Sequence, residues 1–157
     1  MSAPTPASYP FPHVDAAALF AMRDRHGSVF RKGRVLYRAG ETSSDLYVVL
    51  RGRVALFSFD EKTGTSNHVR EVGPGGYFGE YACFGREPRR YTAVVHENET
   101  AILVFTQVTA TELLVASPRF IIEIINELAE RLLELEAERN KLRRDTGQSV
   151  VKSLIGS

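Results

Sequence analysis

From Val29 to Phe105 the chain alternates short apolar runs with turn chemistry: "RVLY", "GETSSD", "LYVVL", "RG", "RVALFSF", "DEKTGTSN", "HVREV", "GPGG". Runs rich in Val, Tyr, Phe and Leu, cut this often by Gly, Asp, Asn and Ser, are too short for helices. Strands at this spacing predict an all-β roll or barrel. Arg51-Gly52 reads as a tight hairpin, because Gly supplies the positive φ such a turn needs. Ahead of this region, Asp15 to His26 predicts a short helix with Asp15 as N-cap and Leu19, Phe20 and Met22 as its apolar contacts. Behind it, helical spacing takes over. Thr109-Ala-Thr-Glu112 has the form of a capping box. Ser117-Pro118 then reads as an N-cap followed by proline at the first helical position. From there to Arg144 no further Pro and no Gly occurs, which predicts a helix about 40 Å long.

The chain has 157 residues, a formal net charge of +1, 43% hydrophobic and 25% charged residues. That is one soluble domain with a core and a peripheral element. The charge balance does not point to nucleic acid or an acidic membrane. A single cysteine, Cys83, excludes a disulfide framework and a four-cysteine metal site within one chain. Cys83 reads as core packing. No run approaches a membrane span, and "MSAPTPASYPFPHVD" lacks the basic start and apolar stretch of a secretory signal. The expected organisation is a disordered Pro-rich arm over 1–14, a β-roll over 15–117, a long helix over 118–145 and a tail over 146–157. The fold class is α+β, mainly β. His13, His26, His68 and His96 are spread out without ligand spacing, and no metal is expected.

The long helix carries a second pattern. Ile121, Ile125, Leu128, Leu132, Leu135, Arg139 and Leu142 are spaced 4-3-4-3-4-3, an a/d heptad seam with one polar member. In a parallel dimer this register sets Arg131 against Glu136 of a second copy, and Glu138 against Arg143. Both pairs have opposite sign, which favours a parallel homodimer over a lone amphipathic helix. Ile122, Ala129 and Leu133 make a further apolar stripe, expected to face the helix's own β-domain.

"GGYFGEYACFGREPRR", Gly75 to Arg90, interrupts the strand pattern with glycines, one acid and a Pro-Arg-Arg end. A core strand has no use for these; a loop that grips an anion does. "FGEYACFGREPRR" resembles the phosphate-binding cassette of the cyclic nucleotide-binding domain, the effector domain of Crp/Fnr regulators that also occurs in kinase regulatory subunits and gated channels. "FRKGRVLYRAGE" (Phe30–Glu41) resembles that family's early glycine-punctuated strands, and "DLYVVLRGRVAL" (Asp45–Leu56) its hairpin around a glycine. The resemblance covers roughly Phe20 to Arg144. It implies a double-stranded, jelly-roll-like β-helix with a long C-terminal dimerisation helix.

It also implies roles. Gly79 gives close approach and a backbone N–H, Glu80 takes the ribose 2′-OH, and an arginine holds the single phosphate charge through parallel hydrogen bonds. Counting forward from Glu80 makes that arginine Arg89; counting back from "TAILVF" makes it Arg90. The candidate ligand site is Phe78, Gly79, Glu80, Tyr81, Arg89, Arg90 and Tyr91. A small hydroxyl residue after the phosphate arginine goes with cGMP preference among relatives. With Arg89 in that role the next residue is Arg90, and the expectation tilts to cAMP over cGMP.

The residues after Arg144 are too few for a DNA-binding module, and no nucleotide-hydrolase, hydrolase or zinc-protease motif occurs. The reading is a cytoplasmic, non-enzymatic cyclic-nucleotide sensor, dimeric through its helix and acting on a partner protein, with no DNA or membrane contact by this chain alone. Two alternatives stand beside it: a ligand-free dimerisation or scaffold module on the same fold, and the effector half of a transcription regulator. The tail apolar residues Val150, Val151, Leu154 and Ile155 are read either as a short partner-binding helix or as part of an element that continues.

Overall fold

A computed structural model describes residues 16–155, with side chains left undescribed at 16, 148–153 and 155. The Pro-rich arm and its His13 and Asp15 therefore lie outside the described residues, as do the side chains of Val150, Val151 and Ile155. The described chain runs α1 (Ala16–His26), β1 (Gly27–Phe30), β2 (Val35–Tyr37), β3 (Leu46–Arg51), β4 (Val54–Asp60), β5 (Thr65–Val72), β6 (Tyr77–Phe78), α2 (Glu80–Gly85), β7 (Thr92–Val95), β8 (Thr100–Phe105), α3 (Ala110–Ala116) and α4 (Pro118–Ile155). The strands form two four-stranded antiparallel sheets, ordered β1-β8-β3-β6 and β2-β7-β4-β5. This is the roll that the strand spacing predicts, in the jelly-roll form that the family resemblance implies.

The core lies between the inner faces. Tyr47, Val49, Phe78 and Ile102 of one sheet meet Tyr37, Val54, Leu56, Val72, Ala93 and Val95 of the other. Burial of this apolar set at roughly 25 cal/mol per Å² is the main force holding the roll. In β3 and β8 the opposite face is buried too, at Leu46, Val48, Leu103 and Phe105. That explains why "LYVVL" and "AILVF" are continuous rather than alternating. α1 packs on β8 and buries Leu19 and Met22; Ala110 and Leu113 of α3 are also buried. Phe20, expected among the apolar contacts, is instead 65% exposed, its ring carrying the Arg23 guanidinium 4.4 Å from the centroid. Its helical phase sets it away from Leu19 and Met22.

Three local expectations are corrected. Arg51-Gly52 is not a hairpin, because β3 and β4 belong to different sheets; the turn is an arch between them. Gly52 has φ 87° and a Cβ there would meet Thr100 Cα at 2.8 Å, so the same residue requirement arises for a different geometry. Thr109 is the N-cap of α3, as expected, but its side chain makes no capping bond to the helix: Thr106 N–H donates to Thr109 Oγ1 (2.8 Å) and Thr109 N–H to Thr106 Oγ1 (3.1 Å). Glu112, the other half of the expected box, turns to Arg25 and His26 (3.0 and 3.1 Å). At Ser117 the backbone, not the hydroxyl, joins α3 to α4: Ser117 N–H donates to Leu113 O and Phe120 N–H to Ser117 O. The buried Ser117 Oγ has no hydrogen-bond partner among the described residues.

The described residues divide into two compact units, up to Glu123 and from Ile124 onward. In the first, α4 enters with Phe120 fully buried and its ring edge-on to Tyr77 at 4.9 Å. Ile122, placed by sequence on a domain-facing stripe, is exposed. The second unit is the body of α4. Its helical backbone continues through Ile155, past the boundary expected at 145, since nothing after Arg144 but Gly147 interrupts helix propensity. Ala129 and Leu133 of the expected second stripe are exposed. Along the seam Ile125, Leu132, Leu135 and Leu142 are exposed, as is Arg139, and Leu128 is half-buried. Ile121, at the seam's start in the first unit, is exposed as well. Arg131 lies 3.6 Å from Glu134 within the helix.

Candidate ligand-binding site

β6 ends at Phe78, and the chain then needs an abrupt change of direction into α2. Gly79 supplies it with φ 86° and ψ 8°. A side chain there is excluded twice: by the positive φ and by proximity, since a Cβ would stand 2.7 Å from Arg89 Nη1 and 2.8 Å from Asp45 O. α2 begins at Glu80, and its first-turn N–H groups lack acceptors within the helix. It ends after one and a half turns with Arg86 at φ 56°.

Arg89 is 4% exposed. Its backbone is paired on both sides, N–H to Glu41 O and carbonyl from Gly40 N–H, each 2.8 Å. Its Nε donates to Ser43 Oγ (3.1 Å), Nη1 to Gly79 O (3.2 Å) and Nη2 to Asp45 O (2.9 Å). The guanidinium also lies 4.0 Å over the Tyr37 ring and 5.7 Å from that of Tyr47. A guanidinium carries more N–H donors than these three bonds use. Arg90, next in sequence, is exposed, 5.4 and 5.5 Å from the rings of Tyr81 and Tyr91.

Glu80 is 2% exposed. Its Oε1 stands 3.8 Å from Arg70 Nη2, while Oε2 has no hydrogen-bond partner among the described residues. The Tyr37 phenol is pushed well above its ordinary range, first by burial and then by the Glu80 charge. Tyr47 is raised as well, chiefly by burial. Both rings therefore stay neutral beside the charged pair. Cys83 is buried and its thiol is pushed up to about 11 by burial, which suits packing rather than reactivity.

A recess is lined by Tyr37, Leu56, Arg70, Gly79, Glu80, Tyr81, Ala82, Arg89, Arg90 and Tyr91. It gathers six of the seven candidate ligand residues. Phe78 is the exception: it is fully buried, stacked on Tyr47 at 4.9 Å between ring centroids, because strand alternation turns it into the core. Arg70 escaped the sequence reading. The signal was there in "HVREV", where Arg70 shares a strand face with the core residue Val72. His68 and His96, far apart in sequence, both approach Glu71 Oε1, at 4.0 and 2.7 Å. Among the described residues no group of three His, Cys, Asp or Glu is placed to hold a metal, and no helix is long and apolar enough to cross a membrane.

A sharp strand-to-helix turn at a glycine brings a buried acid and a buried arginine to the lining of one recess on a jelly roll. The cyclic nucleotide-binding domain family matches residues 28–117, and the chain belongs to that family. It is 33% identical over 101 residues to a lysophospholipase of Neurospora crassa, covering 64% of this chain and 6% of that protein. It is 28% identical over 124 residues to a cyclic nucleotide-gated potassium channel of Rhizobium etli, covering 79% of this chain and 30% of that one. The chain thus spans under a third of the length of these curated relatives. Among solved structures, the catabolite activator protein of Thermus thermophilus superimposes with a TM-score of 0.62 at 24% identity, covering 80% of this chain and 59% of that one. That likeness is one of fold.

Proposed function

We propose that the chain is a regulatory, non-catalytic module that binds a cyclic nucleotide, cAMP in preference to cGMP, in the recess. The observation that carries this is the pairing of opposite chemistries in one small space: a buried carboxylate with an unused acceptor at Glu80 Oε2 and a buried guanidinium with unused donors at Arg89. The first fits the ribose hydroxyl and the second the phosphate. Gly79 leaves room for the backbone to approach, and the first-turn N–H groups of α2 add donors for an anion. Arg89, rather than the exposed Arg90, is the proposed phosphate residue. Arg90, with Tyr81 and Tyr91, forms the rim. With Arg90 following Arg89, the site has no small hydroxyl at the position that goes with cGMP preference.

The signal leaves through α4. Its exposed heptad seam fits a second copy in a parallel dimer, and the bound state acts on a partner protein through that helix. Binding shifts such an equilibrium only by its differential affinity for two states. Titration calorimetry with cAMP and with cGMP tests the reading: saturable heat with cAMP, at lower concentration than with cGMP, is expected. No heat with either overturns it in favour of a ligand-free scaffold on the same fold. That second reading is favoured by one observation, the three protein acceptors already holding Arg89.

A further inference from the structure

Arg70 and Glu80 form an ion pair that is incomplete on both sides. Arg70 comes from the middle of β5 and Glu80 from the first position of α2. They approach to 3.8 Å through Nη2 and Oε1, too long for a hydrogen bond. The other oxygen of the carboxylate, Oε2, and the Nε of the guanidinium are both buried and without a hydrogen-bond partner among the described residues. Leaving one such atom unsatisfied is costly, and two on one pair is unusual. Both side chains line the recess. Oε2 can only accept and Nε–H can only donate. A hydroxyl does both, donating to the carboxylate and accepting from the guanidinium.

We propose that Arg70 is a second reader of the ligand's sugar hydroxyl, acting with Glu80. This rests on the cyclic-nucleotide reading of the recess and extends it to a residue outside the Gly79–Tyr91 segment. In the free chain Arg70 balances the charge of Glu80 from the Oε1 side without a hydrogen bond, leaving Oε2 open. When the hydroxyl arrives, its proton is donated to Oε2 and its lone pair takes the Nε proton donor. The site then rejects a ligand lacking the hydroxyl more strongly than Glu80 alone would, because both buried groups are left unmet.

The test is calorimetry of the wild-type chain and of Arg70→Met with cAMP and with 2′-deoxy-cAMP. Thermal unfolding is followed in parallel to confirm the fold. The wild type is expected to favour cAMP over the deoxy ligand by roughly 10- to 100-fold, and Arg70→Met to cut that ratio to about a third or less of its wild-type value. Arg70→Lys keeps the charge but has no Nε. It is expected to hold cAMP better than the Met variant while still losing much of the discrimination, and it stands in if Arg70→Met fails to fold. A wild-type ratio retained in full by a folded Arg70 variant overturns the inference and leaves the cyclic-nucleotide reading intact. Absence of cAMP binding to the wild type overturns both.

Discussion

Arg89 and Leu132 occupy opposite situations. Arg89 is charged yet buried, held by three side-chain hydrogen bonds and a ring 4.0 Å away. Leu132 is apolar yet 57% exposed, in a row of similarly placed residues along α4. The roll has solved the harder burial problem within one chain, while the helix leaves the easier one open. A charged group is worth burying only where its bonds are complete or where a ligand completes them. An apolar row at heptad spacing is stable when a second helix covers it. The difference teaches that the roll supplies the bonds of its buried arginine from its own chain, whereas no described residue covers the apolar row of the helix.

The comparison breaks most visibly at Arg89. Arg89→Ala removes the proposed phosphate contact and strands the carbonyls of Gly79 and Asp45. Cyclic nucleotide binding is expected to fall by about 100-fold or more, and stability by ~2–4 kcal/mol. Calorimetry reads the first and denaturant unfolding the second; a loss of stability with unchanged binding would move the phosphate role elsewhere. Leu132→Asp attacks the other side. The proposed dimer is expected to weaken by ~2–3 kcal/mol, the value of burying one leucine, with the unfolding of the roll unchanged. Sedimentation at micromolar concentration shows the shift, and a wild type that is itself monomeric there would refute the seam as an interface.

Glu123 sharpens the contrast, since it is a buried charge without complete bonds. It is 4% exposed, with neither carboxylate oxygen hydrogen-bonded among the described residues and Arg119 no nearer than 3.8 Å. Burial raises its pKa, and Arg119 only partly opposes this. Below the ordinary carboxylate value of about 4.3 both folded and unfolded forms are protonated, and the charge costs nothing. As pH climbs through the raised folded value the cost appears and persists. Glu123→Gln is therefore expected to stabilise the chain by ~1 kcal/mol at pH 7, with the gain fading toward pH 4. A gain independent of pH would show that ionisation is not its cause.

The smallest effect is expected at Glu112, whose pKa is lowered first by its hydrogen bond with His26 and further by Arg25. Here the sign reverses. The contribution is present above the unfolded carboxylate value and is lost as pH falls through the lowered one. Glu112→Gln should lower stability slightly at neutral pH and have no effect once pH falls below the lowered carboxylate value, so the acid limb flattens. Thermal melts between pH 3 and 7 separate this from the opposite slope at Glu123.

These cases also mark what was legible in advance. The strands follow from local pattern, because alternation is a property of neighbouring residues, whereas Gly79, Glu80 and the arginine came from the resemblance to the cassette, which left Arg89 and Arg90 open; Arg89 is the buried one of the two. Gly52 shows the limit: a hairpin and an arch both demand glycine, and only pairing partners far along the chain tell them apart. The same holds for Arg70, whose meaning depends on α2 being folded against β5. Thr109 is the N-cap that the sequence indicates, but its hydroxyl pairs with Thr106 rather than with the helix, and Glu112 with α1. Phe78 followed the cassette's motif in sequence and the pleat of β6 in space.

The backbone of Arg89 lies between α2 and β7, outside any helix or strand, yet it is bonded to Gly40 and Glu41 on both its N–H and its carbonyl. Together with the side chain's three anchors, this ties the residue to two distant stretches of loop at once. Opening that amide to solvent requires the Gly40–Glu41 turn to come away with it. Its hydrogen–deuterium exchange should therefore track the cooperative unfolding of the roll rather than local loop fraying, and a segment with no regular structure should prove among the slowest in the protein to exchange.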